Sequence, residues 1–172
     1  SPRPAGGYCR WPRGWLFAGL VSHRPCPGDC SVYALGRESI VVLRDEQGEI
    51  RAFYNVCQHR GNRIFTSESG SVQRIACPYH GWRYNSAGDV DNLPYSDGPY
   101  PKSASIRSYP VVDNMGCIMA WYDPDGRAPD YDPPFLPEWD DPQWVRWELD
   151  HLGELPVHTQ EILDNMADVR HL

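Results

Sequence analysis

Cys57-Gln58-His59-Arg60-Gly61 and, downstream, Cys77-Pro78-Tyr79-His80-Gly81-Trp82 are the two strings that decide how this chain folds. Each places one cysteine and one histidine on a short loop followed by glycine, and residues 60–76 fill the gap between His59 and Cys77. Two thiolates and two imidazoles are the ligand set for a two-iron cluster with two ligands of one kind on each iron. Thiolates stabilise the ferric state, while neutral imidazoles remove negative charge from the second iron and raise its potential above that of an all-cysteine cluster. The competing reading is a structural zinc site of the Cys2His2 type. Such sites place two cysteines close together and then two histidines, whereas each loop here mixes the two residue types. The mixed loops point to transfer of single electrons.

Composition narrows the class further. The chain has 172 residues and a net charge of −7. Residues 123–150 are strongly acidic with only Arg127 and Arg146 against them, and residues 1–28 contain no carboxylate. Lys102 is the sole lysine, so no lysine-rich face exists for nucleic acid. Arg60, Arg63, Arg74 and Arg83 stand on or near the two loops. They form either a solvated rim or a patch that steers an acidic electron donor. No apolar run approaches a membrane span, and no charged-then-apolar leader opens the sequence, so the expectation is a cytoplasmic protein without a membrane anchor. Of six cysteines, Cys9, Cys26, Cys30 and Cys117 lie outside the loops. Cys26 and Cys30 bracket a Pro27-Gly28 turn and are able to approach each other, but a reducing compartment keeps thiols free, and all four are read as structural.

Short runs rich in β-branched and aromatic residues, broken by turns, predict strands at 15–20, 31–35, 39–44 and 50–56. Residues 72–76 lead into the second loop, and hairpins are expected at 82–90 and at 106–122. The fold class is therefore mainly β. Residues 124–142 form a proline- and aspartate-rich linker along the surface. Residues 144–150 alternate like a strand of a new unit. From 159 to 172 the pattern turns helical: Ile162, Met166 and Val169 make an apolar stripe, Thr159 is the expected N-cap, and Asp164, Asp168 and His171 share the opposite face. Spacing alone reads that face as solvated charge, or as the start of a metal site.

The two loops resemble the Rieske signature, and the chain as a whole resembles the Rieske non-haem iron oxygenases. The resemblance runs through Arg13-Gly14-Trp15, Pro27-Gly28-Asp29, both loops, the stretch 101–110 and the final helix. Within that family, 101–110 and Trp121-Tyr122-Asp123-Pro124-Asp125-Gly126 look like the oxygenase components of 3-ketosteroid 9α-hydroxylase and like cholesterol 7-desaturases. The resemblance implies an antiparallel β-sandwich with a cluster-binding subdomain over residues 1–123, a linker at 124–142, and the start of an α+β helix-grip catalytic domain at 143–172. It implies a [2Fe-2S] cluster with Cys57 and Cys77 on the inner iron and His59 and His80 on the outer one. Asp164-Asn165-Met166-Ala167-Asp168-Val169-Arg170-His171 looks like the motif that opens the family's mononuclear iron site. On that reading His171 ligates a mononuclear Fe(II), Asp168 bridges to a Rieske histidine of the neighbouring subunit, and Asn165 lies near the iron. The second histidine and the distant carboxylate of the facial triad have no counterpart in these 172 residues, so this segment alone is expected to be inactive as an oxygenase.

What the family does supplies the remaining expectations. An NAD(P)H-dependent reductase, a ferredoxin or both would feed the cluster; the iron would use dioxygen to hydroxylate or desaturate a small apolar substrate; and the full-length protein would be a homotrimer. Respiratory Rieske proteins carry an extra cysteine in each loop and a serine after the His-Gly, and here Asn62, Tyr79 and Trp82 stand at those places. Fewer hydrogen bonds to the sulfurs, with Tyr84 left as a donor, place the expected potential at roughly −150 to 0 mV. The alternatives are a free-standing Rieske-type ferredoxin and a regulatory protein that keeps part of an oxygenase.

Overall fold

The computed structural model describes residues 13–35, 38–145, 156–158, 160–162 and 164. The chain divides into two compact units, Ser1–Leu136 and Pro137–Leu172.

The first unit is antiparallel β throughout. Its strands are β1 (Gly14–Leu20), β2 (Asp29–Leu35), β3 (Glu38–Arg44), β4 (Ile50–Tyr54), β5 (Ser69–Ser71), β6 (Ile75–Ala76), β7 (Arg83–Tyr84), β8 (Val90–Asn92), β9 (Ser108–Tyr109), β10 (Val111–Asn114) and β11 (Cys117–Tyr122). They form a five-stranded sheet, β5-β2-β3-β4-β9, and two three-stranded sheets, β1-β11-β10 and β6-β7-β8.

Strand β3 shows why the sheets stack as they do. Side chains alternate across a strand, so the unbroken apolar run 40–43 must bury both of its faces. Ile40 and Val42 enter a core with Ala52 of β4, Ala18 of β1, and Ile118 and Ala120 of β11. Val41 and Leu43 enter a second core with Phe53, Cys57, Ile64, Ile75, Cys77 and Tyr84. Both valines are 0% exposed, and burying each contributes about 1.5–3 kcal/mol. The five-stranded sheet thus carries one three-stranded sheet on one face and the loop subdomain on the other.

Local chemistry closes the turns. Asp45 ends β3, and its Oδ1 accepts from the N–H groups of Gln47 at 3.0 Å and Glu49 at 2.9 Å, while Oδ2 accepts from Arg51 at 2.9 Å. Gly48, at φ 85, takes the left-handed conformation that lets β4 return. Two expectations shift. The strand predicted at 50–56 ends at Tyr54: the Asn55 N–H still donates to Ser39 O at 2.8 Å, but Val56 bridges to Arg63 instead. Ser69–Ser71 adds an edge strand that composition does not announce: it pairs with β2 through Cys30 and Gly70, and an edge asks little of side-chain propensity.

The proline- and aspartate-rich stretch begins on the first unit. Trp15 Nε1 donates to Tyr131 O at 2.8 Å, Trp121 Nε1 to Arg127 O at 2.8 Å, and Asn114 Nδ2 to Pro134 O at 3.0 Å. The Tyr131 ring stands edge-on to Trp121 at 5.3 Å, which leaves Trp121 2% exposed. In the second unit, Pro137–Asp140 forms a 3-10 turn. Gln160, Glu161, Ile162 and Asp164 are helical, as the periodicity predicts. Gln160 Nε2 donates to Asp164 Oδ1 at 2.8 Å, and the Gln160 N–H donates to His158 Nδ1 at 3.1 Å. Thr159, Asn165, Asp168 and His171 lie outside the described residues. Of the strand expected at 144–150 only Trp144 and Val145 are described, and both are exposed coil.

Candidate iron–sulfur site

The two sequence strings fold into loops with the same backbone. In the first, the Cys57 N–H donates to Asn62 O at 2.9 Å and the Gly61 N–H to Cys57 O at 3.0 Å; in the second, the Cys77 N–H donates to Trp82 O at 2.8 Å and the Gly81 N–H to Cys77 O at 3.0 Å. An antiparallel pair closes each neck, Val56 with Arg63 and Ala76 with Arg83. Gly61 and Gly81 sit at φ 70 and 73, a conformation that any side chain would strain, so glycine in each string is a backbone requirement.

This geometry sorts the four candidate ligands by depth. Cys57 and Cys77 are 1% and 2% exposed, whereas His59 is exposed and His80 half-buried. The rings of His59 and His80 stand 4.6 Å apart between centroids at 66°. Trp82 stacks on His59 at 4.8 Å with 5° between planes, and Tyr79 leans on His80 at 3.8 Å. Burial pushes the Cys57 thiol up, and the nearby Cys77 thiol adds to that push. Desolvation, helped by His59 and Arg60, draws His80 below the ordinary imidazole range and favours the neutral ring that a metal takes. Among the described residues no three His, Cys, Asp or Glu side chains close on a single ion. A two-iron cluster needs no such trio, since each iron takes two protein ligands.

Tyr84 completes the inner side. Its hydroxyl lies 3.2 Å from Cys57 Sγ and accepts the Gln58 N–H at 3.2 Å, so its own proton is free for the sulfur. Burial, then the contact with Cys57, raises the Tyr84 pKa and keeps that proton in place. A thiolate at Cys57 would therefore gain a donor, as the sequence suggests. Asn62, standing where respiratory proteins have a cysteine, turns its amide toward Cys77 Sγ at 4.0 Å, a long contact that spacing does not reveal. Two buried sulfurs, one of them at a tyrosine hydroxyl, and two outward imidazoles suit a [2Fe-2S] cluster. Of the four arginines, Arg60, Arg63 and Arg74 are exposed, while Arg83 is half-buried with Nε 3.9 Å from Asp91. Among the described residues Cys26, Cys30 and Cys117 are free thiols; Cys9 lies outside them.

Fold and loops together define an iron–sulfur domain. The chain belongs to the Rieske [2Fe-2S] domain family, whose model matches residues 14–110. Residues 120–172 match the model of the 3-ketosteroid 9alpha-hydroxylase C-terminal domain. A probable 3-ketosteroid-9-alpha-monooxygenase oxygenase component of Rhodococcus rhodochrous is 33% identical over 166 residues, which cover 94% of this chain and 40% of that protein. Cholesterol 7-desaturase of Bombyx mori is 34% identical over 165 residues, covering 94% of this chain and 35% of that one. The solved structure of naphthalene 1,2-dioxygenase with indole in its active site matches with a TM-score of 0.59 and 32% identity, over 68% of this chain and 27% of that one. The chain spans 40% or less of the length of these relatives. Among the described residues no helix is long and apolar enough to cross a membrane.

Proposed function

We propose that this chain is the electron-receiving part of the oxygenase component of a Rieske non-haem iron oxygenase. The observation that carries the proposal is the pair of matched loops, with their cysteines buried and their histidines outward. Cys57 and Cys77 would hold the inner iron of the cluster, and His59 and His80 the outer one. A cluster bound there accepts and releases one electron at a time. Tyr84 would donate to the Cys57 thiolate and favour the reduced state of a bound cluster, while Trp82 and Tyr79 pack against the two imidazoles. The exposed Arg60, Arg63 and Arg74 offer a positive approach to an NAD(P)H-dependent reductase or a ferredoxin.

The remaining assignments rest on residues 143–172. In a full-length cytoplasmic homotrimer, a head-to-tail ring of heterologous contacts, Asp168 would link His171 of its own chain to His80 of the next. His171 would be one ligand of a mononuclear Fe(II), beside Asn165, that uses dioxygen to hydroxylate or desaturate an apolar substrate, a steroid or sterol in view of the relatives. Residues 1–123 serve as the cluster domain, 124–142 as the connection and 143–172 as the opening of the catalytic domain. The match over 120–172 favours this reading over a free-standing ferredoxin. The test is metal analysis of the purified chain together with substitution in the full-length enzyme. About two irons and two acid-labile sulfides per chain are expected, and stoichiometric zinc without visible absorption would end the proposal. His171→Ala should abolish turnover with the cluster spectrum intact, and Asp168→Asn should leave both metal sites filled but slow reoxidation of the cluster in a single turnover.

A further inference from the structure

The two ligand loops share a backbone but not a support. Two residues before Cys77 stands Ile75, which pairs with Tyr84 in a regular β6–β7 ladder. Two residues before Cys57 stands Asn55, and there the ladder is missing: one isolated bridge, Val56 with Arg63, closes the neck. The Asn55 side chain fills the place of the absent rung. It is 0% exposed. Its Oδ1 accepts the N–H of Ile64 at 3.2 Å and of Phe65 at 2.8 Å. Its Nδ2 donates to Phe65 O at 2.8 Å and to Ser39 Oγ at 3.2 Å. The Asn55 N–H donates to Ser39 O at 2.8 Å, which ties the same residue to β3. Both lone pairs and both N–H bonds of the carboxamide are used. Ile64 and Phe65, the residues it grips, pack in the core that holds Cys57.

We propose that Asn55 is the positioning residue of the first ligand loop, holding the limb beyond Gly61 so that Cys57 and His59 meet the irons in register with Cys77 and His80. An apolar residue of the same size would leave two N–H groups and one carbonyl buried without partners. The limb would then relax, and His59, on the exposed tip, would be the ligand displaced. The inference rests on the cluster reading above, and the two fail separately. A wild-type chain without iron and sulfide defeats that reading, whereas this one is decided by comparing variants of a chain that has them.

The experiment uses the whole chain with its cluster. Asn55→Leu removes all four side-chain bonds at nearly constant volume. Ile118→Ala, in the apolar core on the other face of the five-stranded sheet, serves as the stability control. Asn55→Leu is expected to yield iron to a chelator about 10- to 100-fold faster than wild type. In pulsed electron paramagnetic resonance of the reduced protein, the coupling to one histidine nitrogen should weaken while the other holds. Ile118→Ala should melt earlier yet keep both couplings. Asn55→Asp keeps the oxygen that receives the two N–H groups, so it should fall between wild type and Asn55→Leu, and it carries the test where the leucine variant does not accumulate. Wild-type couplings and a wild-type chelation rate in Asn55→Leu, or in Asn55→Asp in its stead, would overturn the proposal. So would the same loss of coupling in Ile118→Ala.

Discussion

The two faces of the five-stranded sheet are packed from the same strands and do different work. On one face, Ile40, Val42 and Ala52 meet Ala18, Ile118 and Ala120, with Tyr109 buried among them and its hydroxyl donating to Glu38 Oε2 at 3.1 Å. On the other, Val41, Leu43 and Phe53 meet a core that includes Cys57, Cys77 and Tyr84. Two thiols and the Tyr84 hydroxyl are grouped in that second core, where the proposed cluster would take their polar ends. Stability and the proposed function thus fall on different faces: one supplies packing, and the other groups polar side chains where a redox centre would sit. Such a division predicts that the two faces respond to different substitutions.

The largest effect should come from crossing the division. Cys57→Ser should abolish the cluster and its colour, because one thiolate of the inner iron is gone, and should loosen that core, because ligand loops fold with their metal. Ile118→Ala, on the apolar face, should cost about 2–5 kcal/mol with the visible spectrum unchanged at a temperature where the chain is folded. Thermal melts read beside absorption spectra check both, and a spectrum lost in Ile118→Ala would dissolve the distinction between the faces.

A smaller effect is expected at Tyr84. Tyr84→Phe keeps the ring in the core and removes the hydroxyl donor to Cys57, so the cluster should stay and its midpoint potential should fall. A hydrogen bond of net worth about 0.5–1.5 kcal/mol corresponds to roughly 20–60 mV for one electron. Redox titration monitored by absorption measures it, and an unchanged potential would remove Tyr84 from the tuning of the cluster.

Two turns at the strand ends hold carboxylates of the same kind, Asp45 and Asp123. Burial works to raise the pKa of Asp45 and of Asp123, but Arg51 with the N–H groups of Glu49 and Gln47 outweighs it at one, and the Asp125 N–H with Arg127 at the other, so both lie below their ordinary value. A folded-state pKa below the unfolded one contributes stability that is present above the unfolded value and lost as pH falls through the folded value. The melting temperature should therefore decline on acidification below about pH 4, and Asp45→Asn with Asp123→Asn should flatten that decline.

The cluster loops were legible in the sequence because their chemistry is local: a ligand pair, and a glycine forced by positive φ at 61 and 81. Strand β3 was legible from the run Ile40-Val41-Val42-Leu43, though its burial on both faces was not. What sequence did not reveal depends on contacts made across the fold. Asn55 reads as an ordinary polar residue until Phe65 and Ser39 close on it. Ser69–Ser71 has no strand-forming composition and becomes a strand because β2 offers it an edge. The stack of Trp82 on His59 joins two loops more than twenty residues apart in sequence, which no spacing rule encodes. Asn165, Asp168 and His171 rest on the family pattern of residues 164–172, most of which lie outside the described ones.

On the proposed reading, one cysteine and one histidine from each loop bind the same two-iron cluster. Pulsed electron paramagnetic resonance of the reduced chain carrying nitrogen-15 histidine tests it most directly. The reduced chain should give a low-field-shifted rhombic signal coupled to two histidine nitrogens, one of them lost in His59→Cys and the other in His80→Cys. A reduced chain with no histidine coupling, or a colourless chain holding zinc, would contradict it.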